Sequence, residues 1–217
     1  MKFEVNRDVF SDAVSFVVKL LPQRPTLPIL SGVVLEANNG QLSLSTFDYE
    51  VSSRTAVEAN IATEGAVLVQ GRLLAEIANR LPVAPVEVAQ DENGVTITCG
   101  RTSFSLPVMP IEEFPALPEI DGTSGVVSGA DFAEAIAQVA VAASKEDVAP
   151  VITGVHLTLA PTTLGLVATD RYRVAVREID WQSNFNDGDQ ALVPSRTLAE
   201  VGKSFAGADE VVITLVT

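Results

Sequence analysis

The stretch PILSGVVLEANNGQLSLSTFD, at positions 28–48, returns in diverged form as PVITGVHLTLAPTTLGLVATD at positions 150–170. Seven of the 21 paired positions are identical, at a constant spacing of 122 residues. The residues that recur are Pro28, Gly32, Val33, Leu35, Leu42, Leu44 and Asp48. A repeat of this length is the size of a domain, whereas the repeats of solenoid proteins are much shorter. The chain is therefore predicted to contain two copies of one domain.

A second match extends the repeat toward the end of the chain. Positions 67–81 align with positions 191–205 at a spacing of 124 residues, and Arg72 then corresponds to Arg196. Insertions of single residues in loops explain the change in spacing, because loops tolerate them. Both copies are thus expected to contain the same elements in the same order.

The boundary between the copies is predicted from composition. Residues 118–125 are rich in Pro, Gly and acidic side chains, which is typical of a linker. We therefore expect a first unit at 1–122 and a second unit at 123–217. The second copy stops before the counterparts of the strands that begin near Val95 and Thr102. This indicates a chain truncated within its second repeat, since native proteins rarely leave an apolar strand as a free edge.

Hydrophobic periodicity gives the same secondary structure in both copies. An opening strand leads to a helix whose apolar residues recur every three or four positions, such as Phe10 and Val14, or Phe132 and Ile136. Asn6 and Ser128 precede these helices and are predicted N-caps. Second helices are predicted at 72–81 and 196–205. Strands are predicted at 2–5, 32–37, 41–47, 51–57, 68–69, 86–89, 95–99, 102–106, 125–128, 153–159, 164–169, 173–179 and 211–215. The fold class is therefore α+β, with each unit an antiparallel sheet that carries two helices on one side.

Composition excludes several classes of protein. The 217 residues are 47% apolar and carry a formal net charge of -14, so the bulk of the surface repels nucleic acid. The single cysteine, Cys99, excludes an intramolecular disulfide and a multi-cysteine zinc cluster, and it fits a reducing compartment. No signal peptide and no apolar run of about 18 residues is present, which predicts a cytoplasmic protein without a membrane partner.

The few basic residues are concentrated in the predicted helices and the loop after the first helix. Segments 7–24, 72–81, 130–144 and 196–205 carry a net charge of +1, whereas the other 164 residues carry -15. A solvated helix face explains this sorting. Helices from several repeats that together face phosphates explain it as well. Composition alone leaves both interpretations open.

Short motifs along the whole chain resemble those of one family. They are MKF at 1–3, RPTLPIL at 24–30, GR at 100–101, FSL at 104–106, FP at 114–115, VATD at 167–170 and RVAV at 173–176. In this order they resemble the bacterial DNA polymerase III beta subunit family, the DNA sliding clamps, and the Ala-rich acidic character is similar to actinobacterial members. The resemblance implies three sliding-clamp units in each subunit and two subunits in a head-to-tail ring, so the third unit is absent from this chain.

The resemblance also implies a function and partners. The ring would encircle duplex DNA, confer processivity on the replicative polymerase and read no bases. The implied partners are double-stranded DNA, the DNA polymerase III alpha subunit, the clamp loader, and repair and translesion polymerases, with a homodimer in the full-length protein. The implied DNA-facing residues are Arg24, Arg72 and Arg196, with Arg7, Arg80 and Lys203 as further candidates.

Two protein-binding surfaces follow from the same resemblance. Partners of the family insert a short peptide into a groove, whose wall corresponds here to Ile152, Thr169, Arg171, Tyr172, Arg173 and Val174. Arg171 and Tyr172 stand where Gly and His are common in well-known members. The ring interface corresponds to Arg101, Phe104 and Leu106, on an edge strand of the first unit.

The sequence contains little that indicates an enzyme. It has no HExxH, Walker or nucleophile-elbow motif, and the only histidine, His156, is interpreted as structural, as is Cys99. Asp48 and Asp170 recur at equivalent strand ends, where turn chemistry explains them more simply than metal binding. No catalytic residue, metal or cofactor is predicted. Two alternatives stay open: an acidic β-rich module that binds protein or carbohydrate, and a metal-dependent hydrolase that uses the two aspartates.

Overall fold

The computed structural model describes residues 1–22, 24–146 and 149–216, and its chain divides into two compact units. Unit 1 comprises Met1–Pro118 and unit 2 comprises Glu119–Thr217. Among the described residues, no helix combines the length and the apolar character needed to cross a membrane.

Unit 1 contains ten strands and two α-helices in its described residues. The strands are Lys2–Val5 (β1), Gly32–Asn38 (β2), Gln41–Phe47 (β3), Ser52–Glu58 (β4), Asn60–Thr63 (β5), Gly65–Gln70 (β6), Val86–Asp91 (β7), Gly94–Cys99 (β8), Thr102–Leu106 (β9) and Val108–Met109 (β10). The helices are Arg7–Val18 (α1) and Gly71–Ala78 (α2). Short 3-10 helices lie at Pro28–Ser31 and Ile111–Glu113.

The strands of unit 1 form two antiparallel sheets with the orders β5-β1-β7-β8-β9 and β10-β6-β2-β3-β4. Each sheet contributes alternate apolar side chains to one core, as Phe3 and Ile97 do from the first sheet and Leu35 and Leu44 from the second. The apolar stripe of α1 lies in the same core, where Phe10 is fully buried. Helix and sheets are thus held together by one apolar cluster.

Unit 2 contains seven strands and three α-helices in its described residues. The strands are Thr123–Ser128 (β11), Gly154–Leu159 (β12), Thr163–Thr169 (β13), Val174–Asp180 (β14), Gln182–Ser183 (β15), Asp189–Pro194 (β16) and Glu210–Leu215 (β17). The helices are Gly129–Ala140 (α3), Pro150–Thr153 (α4) and Ser195–Phe205 (α5). The sheet orders are β15-β11-β17 and β14-β13-β12-β16, and all pairings are antiparallel.

The core of unit 2 repeats that of unit 1. Phe132 and Ile136 of α3 are buried against Leu157 and Leu166 of the four-stranded sheet. The only tryptophan, Trp181, is also buried here, and its indole Nε1 donates to the carbonyl oxygen of Ala160 at 2.7 Å. A satisfied indole N–H lets this large side chain be buried without an unpaired donor.

The predicted N-caps begin the first helix of each unit. The side-chain oxygen of Asn6 accepts from the backbone N–H groups of Asp8 and Val9, at 2.9 and 3.3 Å. Ser128 Oγ accepts one such bond, from Asp131 at 3.4 Å. Both residues therefore satisfy N–H groups that the first helical turn leaves unpaired.

The α+β class is confirmed, with antiparallel strands and helices packed on them. The strands of each unit are divided between two sheets, which the sequence analysis treated as one. The division follows from pairing at long range: β1 joins β7, more than 80 residues later, while β2, β3 and β4 form a local meander. Hydrophobic periodicity identifies strands but carries no information about such distant partners.

Candidate functional site

The two helices of unit 1 lie side by side and are tied together by polar contacts. Arg7 Nε donates to the carbonyl oxygen of Leu81 at 3.1 Å, and Ser11 Oγ is 3.3 Å from Asn79 Oδ1. Arg7 Nη1 also forms an ion pair with Asp8 at 2.7 Å, and the arginine side chain is only 27% exposed. The structure therefore gives Arg7 a role in holding α1 to the end of α2.

Three other predicted DNA-facing residues of unit 1 are exposed. Arg72, on the first turn of α2, reaches the loop after α1, where its Nη2 donates to the carbonyl oxygen of Pro22 at 3.1 Å. Arg24 is exposed on the same loop, and Arg80 is exposed just after α2. The structure thus brings Arg72 to the loop that carries Arg24, and one end of its guanidinium remains open to solvent.

In unit 2 the predicted DNA-facing residues lie on α5, which packs beside α3. Arg196 and Lys203 are both exposed and are seven residues apart, so they lie on one face about two helical turns from each other. Lys203 Nζ is 2.8 Å from Glu200 Oε1, whereas Arg196 has no polar partner among the described residues. Each unit therefore presents arginine on the first turn of its second long helix.

The hairpin that joins β13 and β14 contains most of the predicted peptide-binding residues. Thr169 pairs with Val174, and the four residues between them form the turn. Asp170 Oδ1 accepts from the backbone N–H groups of Tyr172 and Arg173, both at 3.0 Å. Thr169 Oγ1 accepts from the N–H of Arg171 at 3.1 Å and donates to the carbonyl oxygen of Arg173 at 2.7 Å. Two side chains thus fix the whole turn.

The residues that follow Asp170 in this hairpin, 171–174, are exposed. Tyr172 is 94% exposed and Val174 is 65% exposed. Arg171 is exposed and has a φ of +80°, a left-handed conformation that only a few per cent of non-glycine residues adopt. Ile152, by contrast, is buried on α4, which packs against β13. An exposed apolar surface beside arginine is chemically suited to a peptide with apolar and polar residues.

The turn also changes the acidity of its aspartate. The backbone N–H of Tyr172 lowers the pKa of Asp170 below its ordinary value of 3.8, and the N–H and guanidinium of Arg173 lower it further. Desolvation opposes them and is larger than any single Arg173 interaction, but the net pKa remains lowered. Arg173 Nε lies 2.9 Å from Asp170 Oδ2. Asp170 is therefore a carboxylate that caps a turn.

The predicted ring-interface residues lie at the edge strand of one sheet of unit 1. Arg101 is exposed in the turn before β9, Phe104 is half-buried, and Leu106 is buried in the core. The side chains of β9 alternate, which directs Leu106 inward. Arg101, the exposed side chains of Ser103 and Ser105, and the backbone edge of β9 are thus open to a partner, whereas Phe104 packs partly against the core.

The residues weighed as enzymatic candidates have structural partners. His156 Nε2 is 2.9 Å from Gln190 Oε1, and Cys99 Sγ is buried within 3.3 Å of the carbonyl oxygens of Pro82 and Ala84. Asp48 Oδ1 accepts from the N–H groups of Glu50 and Val51 at 3.0 and 2.7 Å, as the turn interpretation predicts. Within the described ranges, no group of three or more His, Cys, Asp or Glu side chains could hold a metal ion.

Sequence reasoning missed two features of these surfaces. The first is α4, a single turn that begins with proline and is too short for a periodic pattern. The second is the left-handed backbone of Arg171 and of its counterpart Tyr49, at φ +80° and +73°. The repeated Asp before each was the available signal, because aspartate side chains stabilise tight turns.

Comparisons with known proteins match both units. Residues 1–118 match the N-terminal domain of the DNA polymerase III beta subunit, and residues 126–217 match its central domain. The chain is 47% identical to the beta sliding clamp of Streptomyces coelicolor over 99% of its length and 57% of that protein. It is 45% identical to the beta sliding clamp of Micrococcus luteus, over 99% of its length and 70% of that protein.

A solved structure gives the same result. The DNA polymerase III subunit beta from Pseudomonas aeruginosa is 29% identical and superposes with a TM-score of 0.91, over 99% of this chain and 60% of that one. The chain therefore spans less than two thirds of that structure and of the Streptomyces relative. Two consecutive domains of one family cover nearly all of it, in the family's order, and the chain belongs to the DNA polymerase III beta subunit family of sliding clamps.

Proposed function

We propose that the protein carrying this chain is a DNA sliding clamp, a non-catalytic subunit that encircles duplex DNA and confers processivity on the replicative DNA polymerase. The observation that carries the proposal is the match of both units, in order, to the N-terminal and central domains of one clamp family. Relatives at 45% and 47% identity are beta sliding clamps. The tether acts by topology, so it requires no catalytic group.

The charge distribution supports a DNA-facing role for the helices. The helical segments and the first loop carry a net charge of +1, in a chain whose other residues carry -15. Arg72 and Arg196 are exposed at equivalent positions of the two units. Arg80 and Lys203 follow them on the same helical segments, and Arg24 lies on the loop that Arg72 contacts. Long exposed cations make weak, salt-sensitive contacts with phosphates, which hold a ring on DNA without stopping it from sliding. Arg7 contributes less, because its guanidinium is already bonded.

The partner surfaces complete the proposal. A short peptide of the polymerase alpha subunit, the clamp loader, or a repair or translesion polymerase docks at the turn from Thr169 to Val174, with Ile152 of α4 buried against the neighbouring strand β13. In the full-length protein, two copies close head to tail along the edge strand β9, where Arg101 is exposed and Phe104 is half-buried. The exposed apolar residues of the turn and the open edge of β9 support both assignments.

The test uses the full-length protein that carries these residues, loaded by a clamp loader onto nicked circular DNA. Release after linearisation by a restriction enzyme, at moderate salt, is the expected result. The Arg72→Gln, Arg196→Gln double variant should load less well and leave intact circles faster. The matched control is Arg54→Gln, Arg177→Gln, which removes the same charge from two exposed strand positions.

Two results would contradict the proposal. Retention on the cut ends would mean direct affinity for DNA rather than a topological ring. Failure to load, with a loader that is competent on another clamp, would restore the acidic binding module as the better interpretation.

A further inference from the structure

The two units contain the same turn with opposite charges on it. Asp48 and Asp170 each begin a four-residue hairpin loop and accept from the backbone N–H groups two and three residues later. The residue directly after each aspartate is left-handed in both loops. The loop of unit 1 reads Asp-Tyr-Glu-Val and carries two negative charges. The loop of unit 2 reads Asp-Arg-Tyr-Arg and carries one net positive charge.

The two arginines of the second loop differ in their contacts. Arg173 Nε is 2.9 Å from Asp170 Oδ2, so this arginine is paired within the turn. Arg171 is exposed, and its guanidinium has no polar partner among the described residues. The bonds from Thr169 and Asp170 fix the backbone on both sides of Arg171, so its side chain leaves the protein from a defined point.

Apolar surface lies next to this cation. Tyr172 and Val174 are 94% and 65% exposed, and Val176, on the same face of β14 as Val174, is 63% exposed. Exposed aromatic and branched side chains at one place are typical of a protein-binding surface. An arginine beside them adds a site for a carboxylate, which its planar guanidinium can bind through two hydrogen bonds.

From this juxtaposition we infer that Arg171 is a specificity-determining residue that selects partner peptides with an acidic side chain next to their apolar anchors. The inference rests on the proposed peptide-binding role of this turn and adds the chemistry of the preferred ligand. The occupant is an acidic peptide and not DNA, because the apolar side chains beside Arg171 offer nothing to a phosphate backbone. In a chain of net charge -14, an exposed cation without a partner in the turn gives an acidic peptide a local attraction at this place.

The equivalent turn of unit 1 is an internal control. Its left-handed residue is Tyr49, whose ring lies 5.5 Å from that of Phe47, and the next residue is Glu50. A carboxylate brought to this turn meets negative charge. We therefore expect an acidic peptide to bind the turn at Asp170 and to avoid the one at Asp48.

The test is an NMR titration of the isotope-labelled 217-residue chain with three synthetic decapeptides. They share an apolar half of alternating Leu and Ser that ends in Phe, and they carry three Glu, three Gln or three Lys residues in the other half. The Glu peptide should shift the amide signals of residues 171–176 and bind more tightly than the Gln peptide, with the Lys peptide weakest. Raising NaCl from 50 to 500 mM should remove the preference, because exposed charges are screened.

Variants of Arg171 test whether this residue causes the preference for the Glu peptide. Arg171→Gln should weaken binding of the Glu peptide about two- to fivefold, the range expected for one exposed ion pair, and should leave the Gln peptide unchanged. Arg171→Lys should retain most of the preference, and Arg171→Gly should lose it while relieving the left-handed backbone. Arg54→Gln, which removes the same charge from unit 1, should have no effect.

The inference is wrong if the three peptides bind equally, if the preference survives in Arg171→Gln, or if millimolar Glu peptide leaves residues 171–176 unshifted. It is also wrong if a short DNA duplex displaces the Glu peptide from these residues, since Arg171 would then be a DNA-binding residue. None of these results bears on release from linearised circles, so the sliding-clamp proposal is tested separately.

Discussion

The turn after β3 in unit 1 and the turn after β13 in unit 2 have the same backbone conformation but carry chemically different exposed side chains. Both place a capping aspartate first and a left-handed residue second, between strands paired in the same register. Their exposed side chains differ completely, since Tyr49 and Glu50 of one correspond to Arg171 and Tyr172 of the other. The two backbone N–H bonds that one aspartate carboxylate accepts are common to both turns, although the exposed residues differ.

This difference shows how a duplicated domain can acquire a new surface without a new fold. Residues that build the unit recur, such as Gly32 and Gly154, or Leu44 and Leu166. Each of those glycines leaves no room for a Cβ, which would lie within 3.0 Å of a leucine side chain on the neighbouring strand. Positions with no such constraint are free to change charge, and the turn is where this freedom is greatest.

The largest expected effect tests whether the two cores are equivalent. Phe10 and Phe132 occupy matching positions on α1 and α3, and both are buried. Replacement of either by Ala should lower the free energy of unfolding of its own unit by ~3–5 kcal/mol, because a large apolar contact is lost and a cavity remains. Fluorescence of Trp181 during urea unfolding reports on unit 2, and hydrogen exchange of β2 and β3 reports on unit 1.

The pair of variants also tests whether the units unfold separately. Phe132→Ala should move the Trp181 transition, and Phe10→Ala should leave it nearly unchanged. An equal shift with both variants would mean that the two units unfold as one cooperative body. The comparison between units would then hold for structure but not for energetics.

A smaller difference is expected between the two helix caps. Asn6 accepts two backbone bonds at the start of α1, whereas Ser128 accepts one long bond at the start of α3. Asn6→Ala should therefore cost unit 1 about 1 kcal/mol, within the usual range for an N-cap, and Ser128→Ala should cost unit 2 less. The same two probes measure both changes, and a larger loss for Ser128→Ala would reverse the ranking.

The elements that the sequence predicted most closely are those with the strongest local pattern. Strands β3 and β9 begin and end at the predicted residues, 41–47 and 102–106, because apolar and polar residues alternate along most of each strand. Strand β5, at Asn60–Thr63, was missed because none of its side chains is buried and it is held by its pairing with β1. Local periodicity reveals burial, and an exposed edge strand has none.

The candidate site shows the same limit. The family resemblance implied six DNA-facing cations, but only contacts far apart in sequence distinguish their roles. Arg7 is bonded to Leu81, 74 residues away, while Arg196 has no polar partner in the described part of the chain. Leu106 was predicted at an interface, yet the alternation of its strand places its side chain in the core. Whether a guanidinium is bonded or free depends on tertiary packing, and a local sequence pattern does not predict that packing.

The smallest expected effect distinguishes charge from hydrogen bonding in the second turn. Folding lowers the pKa of Asp170, so the folded state favours its ionised form. The resulting stability is present above the unfolded-state pKa and is lost as pH falls through the lower, folded-state pKa. Asp170→Asn keeps an oxygen that accepts from Tyr172 and Arg173 but removes the charge. Wild type should therefore be more stable than this variant at pH 6, and the difference should shrink steadily below pH 4.

Arg173→Gln identifies the cause of the lowered pKa. This variant removes the guanidinium and leaves both backbone N–H groups, of which that of Tyr172 contributes most. It should therefore keep most of the pH dependence attributed to Asp170, measured by urea unfolding with Trp181 fluorescence from pH 3 to 7. A pH dependence as small as that of Asp170→Asn would instead assign the effect to the ion pair. The turn of unit 2 would then depend on an arginine that unit 1 replaces with Val51, and the two turns would share their shape without sharing what stabilises it.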